Sequence, residues 1–268
     1  MSDEKVVVAV DAMGGDDAPG VVLDGVAQAL ASDPALEIVL CGPADVVEPF
    51  AAAHERCTPQ ACSEVIAMAE HPANADCKPE YLVQFGQMAS IYAEKVIGIE
   101  HPRAALLNIG EEDTKGSQFA QEAHGLLRER LSNFAGNAEG SDILPANFDV
   151  IITDGFTGNV CLKTIEGTSK TLFKTLKSIM MSTPLTKLGA LAIKGGLKQL
   201  MAQVSPDTYG GAPLLGVKGA LLVGHGSSNA LAVKNGVLTT ARIARTGVSD
   251  IIAQTVATPC AAEATEGE

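Results

Sequence analysis

Tryptophan is absent from this chain, and its aromatic residues are seven phenylalanines and three tyrosines. A core built with so few rings has to be filled by Ala, Val, Leu and Ile, which suits a parallel sheet covered by helices. Basic residues are scarce: 19 Lys and Arg stand against 32 Asp and Glu, for a net charge of −13. That balance argues against general nucleic-acid binding, whose affinity comes largely from neutralised phosphates. The six cysteines form no CxxC pair and no Cys/His spacing of zinc type, so they read as reduced thiols of a cytosolic protein. No apolar run has the length of a membrane-spanning helix. Met1 to Lys5 is polar and leads straight into an apolar run, so no signal peptide is expected. Two catalytic fingerprints are also missing, the GxGxxG of dinucleotide-binding turns and the GxSxG nucleophile elbow.

What is present is an alternation of short apolar runs with helical periodicities, the mark of α/β structure. Strands are expected at Val6–Val10, Leu36–Cys41, Ala104–Ile109, around Phe134, at Val150–Thr153 and at Leu221–Val223, with a further short one at Val65–Ala69. Helices are expected at Val21–Leu30, Ala44–His54, Pro79–Val96, from Gly116 to about Leu131, from Ile165 to Met180 and from Ala230 to about Val256. Glycine, at 27 residues, gathers at strand ends. Four strands run into polar, Gly-rich turns, at Asp11, Gly110, Asp154 and His225. In a doubly wound sheet such turns open on one edge, the usual place for ligands. The turn Asp154–Thr164 is the richest. It lies between a strand and a helix, where free backbone N–H groups and the helix dipole favour anions. A thread of Thr and Asn before a helix also suits plain capping.

Charge is unevenly placed. From Lys163 to Ser205 there are seven lysines and one acid, Glu166. Lys163, Lys170, Lys174 and Lys177 share one helical face, beside an apolar face of Ile165, Leu172, Phe173, Leu176, Ile179 and Met180. Pro184 breaks the helix. A second amphipathic segment carries Lys187, Lys194 and Lys198 and a weak point at Gly195–Gly196. This reads as a protruding helical hairpin over about 163–205, suited to dimerisation or to contact with an anionic lipid surface or acidic protein. The remainder is expected to form a single α/β domain over 1–257, followed by an acidic disordered tail at 258–268.

Several stretches, in order, resemble the bacterial phosphate acyltransferases of phospholipid synthesis (the acyl-ACP:phosphate acyltransferase, or PlsX, family). They are Val10–Asp16, Asn74–Glu80, Leu107–Gly116, Asp154–Thr164, Tyr209–Ala212 and His225–Ser228. One departure is large. In the family, several tens of residues separate the equivalents of His71-Pro72-Ala73 from those of Asn74-Ala75-Asp76. Either that segment is deleted here or the protein carries residues that this sequence omits; the second is preferred, because both flanks keep the family pattern up to the join.

The resemblance implies a three-layer α/β/α fold with a mostly parallel sheet, like isocitrate and isopropylmalate dehydrogenases or phosphotransacetylase. It implies transfer of a long-chain acyl group from acyl carrier protein to inorganic phosphate, with acyl phosphate as product and no cofactor or metal. It also implies a homodimer in the cytoplasm, peripherally attached to the inner face of the plasma membrane. Phosphate is the nucleophile, so a missing GxSxG elbow is no objection. Lys115 and Asn159 are expected to matter most, with His225 as proton donor to the leaving thiolate or as a phosphate ligand. Asp11, Gly14, Gly15 and Asp16 on the first turn, and Asp154, Gly155, Thr157 and Gly158 on the third, are expected to shape the phosphate site. Lys163 lies one turn beyond Asn159. The carboxylates are expected to orient loops, since they repel phosphate. The alternatives are a phosphate acetyltransferase-like enzyme using acyl-CoA, and a catalytically impaired scaffold that binds acyl carrier protein or a membrane surface.

Overall fold

The computed structural model describes residues 4–62, 74–204 and 206–257, with side chains apart from those of 197–206. The expected strand at Val65–Ala69, the Ala73 side of the join and the tail 258–268 lie outside the described residues. The chain divides into two compact units, one made of Met1–Ala69 and Ala202–Ala253, the other of Glu70–Met201 and Gln254–Glu268. Both are built on parallel strands flanked by helices, which is the α/β/α class expected.

In the first unit, β1 (Val6–Asp11), β2 (Leu36–Gly42) and β3 (Cys57–Ala61) form a parallel sheet in that order. Helix α1 (Gly20–Ser32) buries Val22, Val26, Ala29 and Leu30, spaced three and four apart, so one stripe faces the sheet. Helix α2 (Ala44–Ala52) lies against β2 and β3, and α8 (Ala230–Thr246) packs on α1 and β1. Leu36, Ile38, Leu40, Val26 and Val47 are almost fully buried, a core of aliphatic chains without a ring at its centre. Gly25 lets α1 approach α8: a Cβ there would sit 2.5 Å from Val233 Cβ and 2.8 Å from the Ala230 carbonyl. Strand β3 escapes the pattern in the sequence because only Cys57 of its five residues is buried. Pro59 is tolerated there because, among the described residues, β3 lies at the edge of the sheet, where a missing N–H breaks no ladder.

Buried charge closes the bottom of this unit. Arg245 of α8 donates to Asp33 at 2.6 Å, with both side chains largely buried. That hydrogen bond holds the Asp33 carboxyl below its ordinary pKa against the opposing effect of burial. Arg56 donates to the carbonyls of Asp33 and Leu36, each at 2.6 Å, and to that of Leu30. A cation at the C-terminal end of α1 also suits the helix dipole.

In the second unit, β4 (Ala104–Leu107) is central between β5 (Phe134–Ala138) and β6 (Val150–Ile152), all parallel. Helix α3 (Pro79–Tyr92), which continues as a π-helical turn over Ala93–Ile97, packs on α4 (Gln118–Arg130) and on β6. A Cβ on Gly86 of α3 would lie 2.7 Å from both Ile152 and Leu131 side chains, so that helix sits close on its sheet. A four-residue helix, α5 (Gly140–Ile143), follows β5.

Four expectations need correction. The long helix expected from Ala230 to about Val256 is two, because Gly247 takes φ +63° and ends the first at Thr246, after which Val248–Ala257 forms α9. Leu222–Val223 (β8) does not extend a parallel sheet; it pairs antiparallel with Ala212–Pro213 (β7). Positive φ at Gly216 and Gly219 turns the chain back, so that Leu214 N–H meets the Leu221 carbonyl at 2.9 Å. Helix α6 begins at Gly155, not near Ile165. And α7 (Pro184–Val204) runs unbroken through Gly195–Gly196, because two helix-weakening residues in 21 do not outweigh a continuous ladder. The break between α6 (Gly155–Met180) and α7 falls at Met181–Thr183, where Thr183 Oγ1 accepts from Thr186 N–H at 3.1 Å and Pro184 takes the first helical position.

Candidate active site

The second unit holds a cleft of about 250 Å³ at the carboxyl ends of β4 and β6. Its walls are the first turns of α4 and α6. Leu82, Leu106 and Phe119 make an apolar floor, and Asn108, Ser117, Asp154 and Thr157 supply polar edges. Placement follows from topology: parallel strands deliver both helix N-termini to one edge of the sheet.

The two helix starts differ electrically. Asp154 caps α6, its carboxylate accepting from Thr157 N–H at 2.8 Å. Ser117 caps α4, its hydroxyl accepting from Ala120 N–H at 3.2 Å. A carboxylate cap already fills the positive end of its helix with negative charge, whereas a serine cap leaves that end open to an outside anion. The α4 end is therefore the better anion seat.

Lys115 stands two residues before that cap. It is exposed, and among the described residues no carboxylate pairs with it. Of the three acids before it, Asp113 is taken by Arg128, at 2.6 and 3.0 Å, and lies 3.2 Å from His124 Nε2. The Arg128 hydrogen bond holds the Asp113 carboxyl low, with His124 adding to it. Asn108 fixes the loop from within: its amide donates to the Lys115 carbonyl at 3.1 Å and its Oδ1 accepts from Ile109 N–H at 2.9 Å. Gly116 has φ +92°, and a Cβ there would strike Asn108 Oδ1 and approach Ala120 Cβ to 2.8 Å. Only glycine suits this corner.

The other residues singled out from sequence fall into three groups. Asp154 and Thr157 line the cleft, while Gly155 and Gly158 lie in the same first turns; Gly158 packs so that a Cβ would meet Thr153 Cγ2 at 2.8 Å. Asn159 does not open the helix: it lies in the second turn of α6, exposed and outside the cleft lining. Lys163, one turn on, pairs with Glu166 at 3.1 Å. In the first unit, Asp11 accepts from Met13 N–H at 2.9 Å, Gly14 folds over the Asp11 carboxylate, and Gly15 takes φ +115°. Asp16 N–H donates to the Gly226 carbonyl at 2.7 Å, tying this turn to the one bearing His225. There His225 Nδ1 accepts from Ser227 N–H at 3.2 Å and lies 2.8 Å from Ser227 Oγ. An accepting Nδ1 puts the neutral ring's proton on Nε2, leaving that atom able to donate. Sequence reasoning passed over Asn108 and Ser117 as site residues. Ser117, immediately ahead of a helical run, carried a legible cap signature; Asn108 had no such signal, since its role depends on the loop curling back on it.

Comparison with known proteins gives the family. A family model described as "Fatty acid synthesis protein" matches residues 6–75 and 56–251. The phosphate acyltransferase of Heliobacterium modesticaldum is 37% identical over 318 residues, covering 90% of this chain and 93% of that protein. The chain belongs to the phosphate acyltransferase family. The enzyme of Lysinibacillus sphaericus, also a phosphate acyltransferase, is 34% identical over 322 residues, covering 93% of this chain and 96% of that protein. A third phosphate acyltransferase, from Desulfitobacterium hafniense, is 50% identical over 166 residues, covering 62% of this chain and half of that protein. Membership makes this chain an acyltransferase. The first two matches extend over more residues than the 268 of this chain, so those phosphate acyltransferases carry positions without a counterpart here. The family model likewise matches in two pieces that meet at 56–75, the region of the join.

Proposed function

We propose that this protein transfers a long-chain fatty acyl group from acyl carrier protein to inorganic phosphate, giving acyl phosphate for phospholipid synthesis. The observation that carries this reading is the serine-capped N-terminus of α4 beside an unpaired Lys115, at the mouth of a cleft with an apolar floor. Such a seat suits a phosphate dianion, with Lys115 as its point charge. A phosphate oxygen attacks the thioester carbonyl carbon, the tetrahedral oxyanion collapses, the C–S bond breaks and the thiolate takes a proton. The attacking hydrogen phosphate supplies that proton, and His225 is assigned to the leaving sulfur or the phosphate as a hydrogen-bond donor through Nε2–H. Asp11, Gly14, Gly15 and Asp16 hold the turn that His225's neighbour Gly226 is bonded to. Asp154 and Thr157 form the cleft's second wall, on the turn that Gly155 and Gly158 shape. Asn159 is assigned as a catalytic side chain and Lys163, one turn further on, as a phosphate ligand.

The hairpin of α6 and α7 is assigned to partners. Helix α6 buries none of its residues, and Leu172, Ile179, Leu185, Leu188 and Leu191 are all more than half exposed. Between the helices runs a groove of about 850 Å³ with Phe173, Met180 and Leu191 inside and Lys174, Lys177, Lys187 and Lys194 around it. A second copy of the chain covers the apolar face in a homodimer, and the lysines meet an anionic membrane surface or the acyl carrier protein.

The test is release of free thiol from a long-chain acyl-carrier-protein thioester. Release that requires added phosphate, with acyl phosphate recovered, is the expected result. Release without phosphate, or none with it, overturns the reading. Turnover of acetyl-CoA in preference to the long-chain donor moves the protein to the phosphotransacetylase reading.

A further inference from the structure

The anion seat is held from beneath by two buried polar side chains. His124 of α4 and Asn137 of β5 are 4% and 5% exposed, set in a core that includes Ala123, Leu127 and Ala138. Their ring and amide meet at 2.9 Å, Nδ1 to Oδ1. Asn137 spends its amide on the Glu112 carbonyl at 2.9 Å, which fixes Oδ1 toward the histidine. His124 Nδ1 therefore donates, while its buried Nε2, 3.2 Å from an Asp113 oxygen, makes no hydrogen bond. Glu112 in turn accepts from Lys115 N–H at 3.0 Å. From above, Arg128 grips Asp113 and Gln121 donates to the carbonyls of Thr114, at 2.9 Å, and Gly116, at 3.2 Å.

Buried polar groups are costly, and an apolar pair of similar size would pack this core at least as well. What the pair adds is a fixed path for residues 112–115. Asp113 itself is held by Arg128, which draws its carboxylate onto α4. We infer that His124 and Asn137 are positioning residues for Lys115: His124 fixes the Asn137 amide, which holds the Glu112 carbonyl that anchors the Lys115 N–H, so the loop presents its ammonium to the anion on α4. The inference rests on the reading of Lys115 as the phosphate ligand.

The test compares His124→Leu, His124→Gln and Lys115→Met in the full chain. The readouts are KM for inorganic phosphate, KM for the acyl thioester, and calorimetric titration of inorganic phosphate without thioester. His124→Leu fills the space but cannot donate to Asn137. It is expected to raise phosphate KM and Kd about tenfold, leaving thioester KM within twofold; His124→Gln, which can still donate to Asn137, recovers most of the loss. Arg128→Gln, at an exposed site that leaves the core intact, is the second variant and raises phosphate KM in the same direction. In the Lys115→Met background His124→Leu adds nothing further, since both act on one contact. Unchanged phosphate binding in folded His124→Leu and Arg128→Gln overturns the inference, as does a full effect of His124→Leu on top of Lys115→Met. Wild-type phosphate binding in Lys115→Met alone overturns the Lys115 assignment itself.

Discussion

Single charges in this chain are placed where their loss is measurable. Asp33 has its pKa lowered chiefly by the hydrogen bond from Arg245. A depressed carboxyl contributes stability that is fully present above its unfolded pKa and is lost as pH falls through the folded one. The contribution therefore fades below about pH 4. Arg245→Met leaves Asp33 buried without its cation, and is expected to cost about 3 kcal/mol near neutral pH. Urea titrations at several pH values check both points: the variant shows the deficit at pH 7 and a shallower acid limb than the parent. A parent-like acid limb in the variant would mean that another group sets the pH dependence. None of this pairing is visible in the sequence, where Asp33 and Arg245 stand 212 positions apart. Lys115 is the opposite case. Its place on a polar loop between a strand and a helix was legible from local pattern, but its freedom from Asp113 was not, because that depends on Arg128 reaching back from α4.

At the scale of elements, local pattern served well wherever apolar periodicity was strong. Strands β1, β2, β4 and β6 and helices α1, α3 and α4 lie where alternation and three-four spacing put them, and α8 starts where expected but stops at Thr246, before the left-handed Gly247, rather than near Val256. It failed where tertiary contact decides. The start of α6 was misplaced because a run of Gly, Thr and Asn looks like a turn; a carboxylate cap at Asp154 is enough to begin the helix at once. Close approach of elements is equally hidden. Gly25→Ala is expected to lower stability by about 1–3 kcal/mol through overpacking against Val233 and the backbone of α8, read as a fall in Tm with helix content retained. A wild-type Tm would show that α1 and α8 have room to part. For the hairpin, Leu185→Glu with Leu188→Glu places two acids on residues 79% and 66% exposed. Sedimentation should show the parent as a dimer at micromolar concentration and this variant shifted to monomer. A parent that is already monomeric removes the dimer proposal.

Across the whole molecule, the class of fold was legible because alternating strand and helix signals admit few arrangements. The grouping of strands into two three-stranded sheets was not, since short apolar runs do not declare their neighbours. The departure from family length at the Ala73–Asn74 join has a direct check. An intact mass above the 27.6 kDa of this sequence means that residues are present beyond those written; a mass equal to it means a true deletion, and the phosphate-dependent assay then tests a shortened family member. The order in which the parts are made carries a last consequence. Unit one is split in the chain, with β1 and α1 near the start and α8, which covers them, close to the end. The ribosome therefore delivers the middle unit, with β4, β5 and β6 contiguous, while the first three strands still lack their covering helix. Nascent chains arrested after Met201 should already protect the middle sheet from protease and leave β1 open to it, so this enzyme is finished from the inside of its sequence outward.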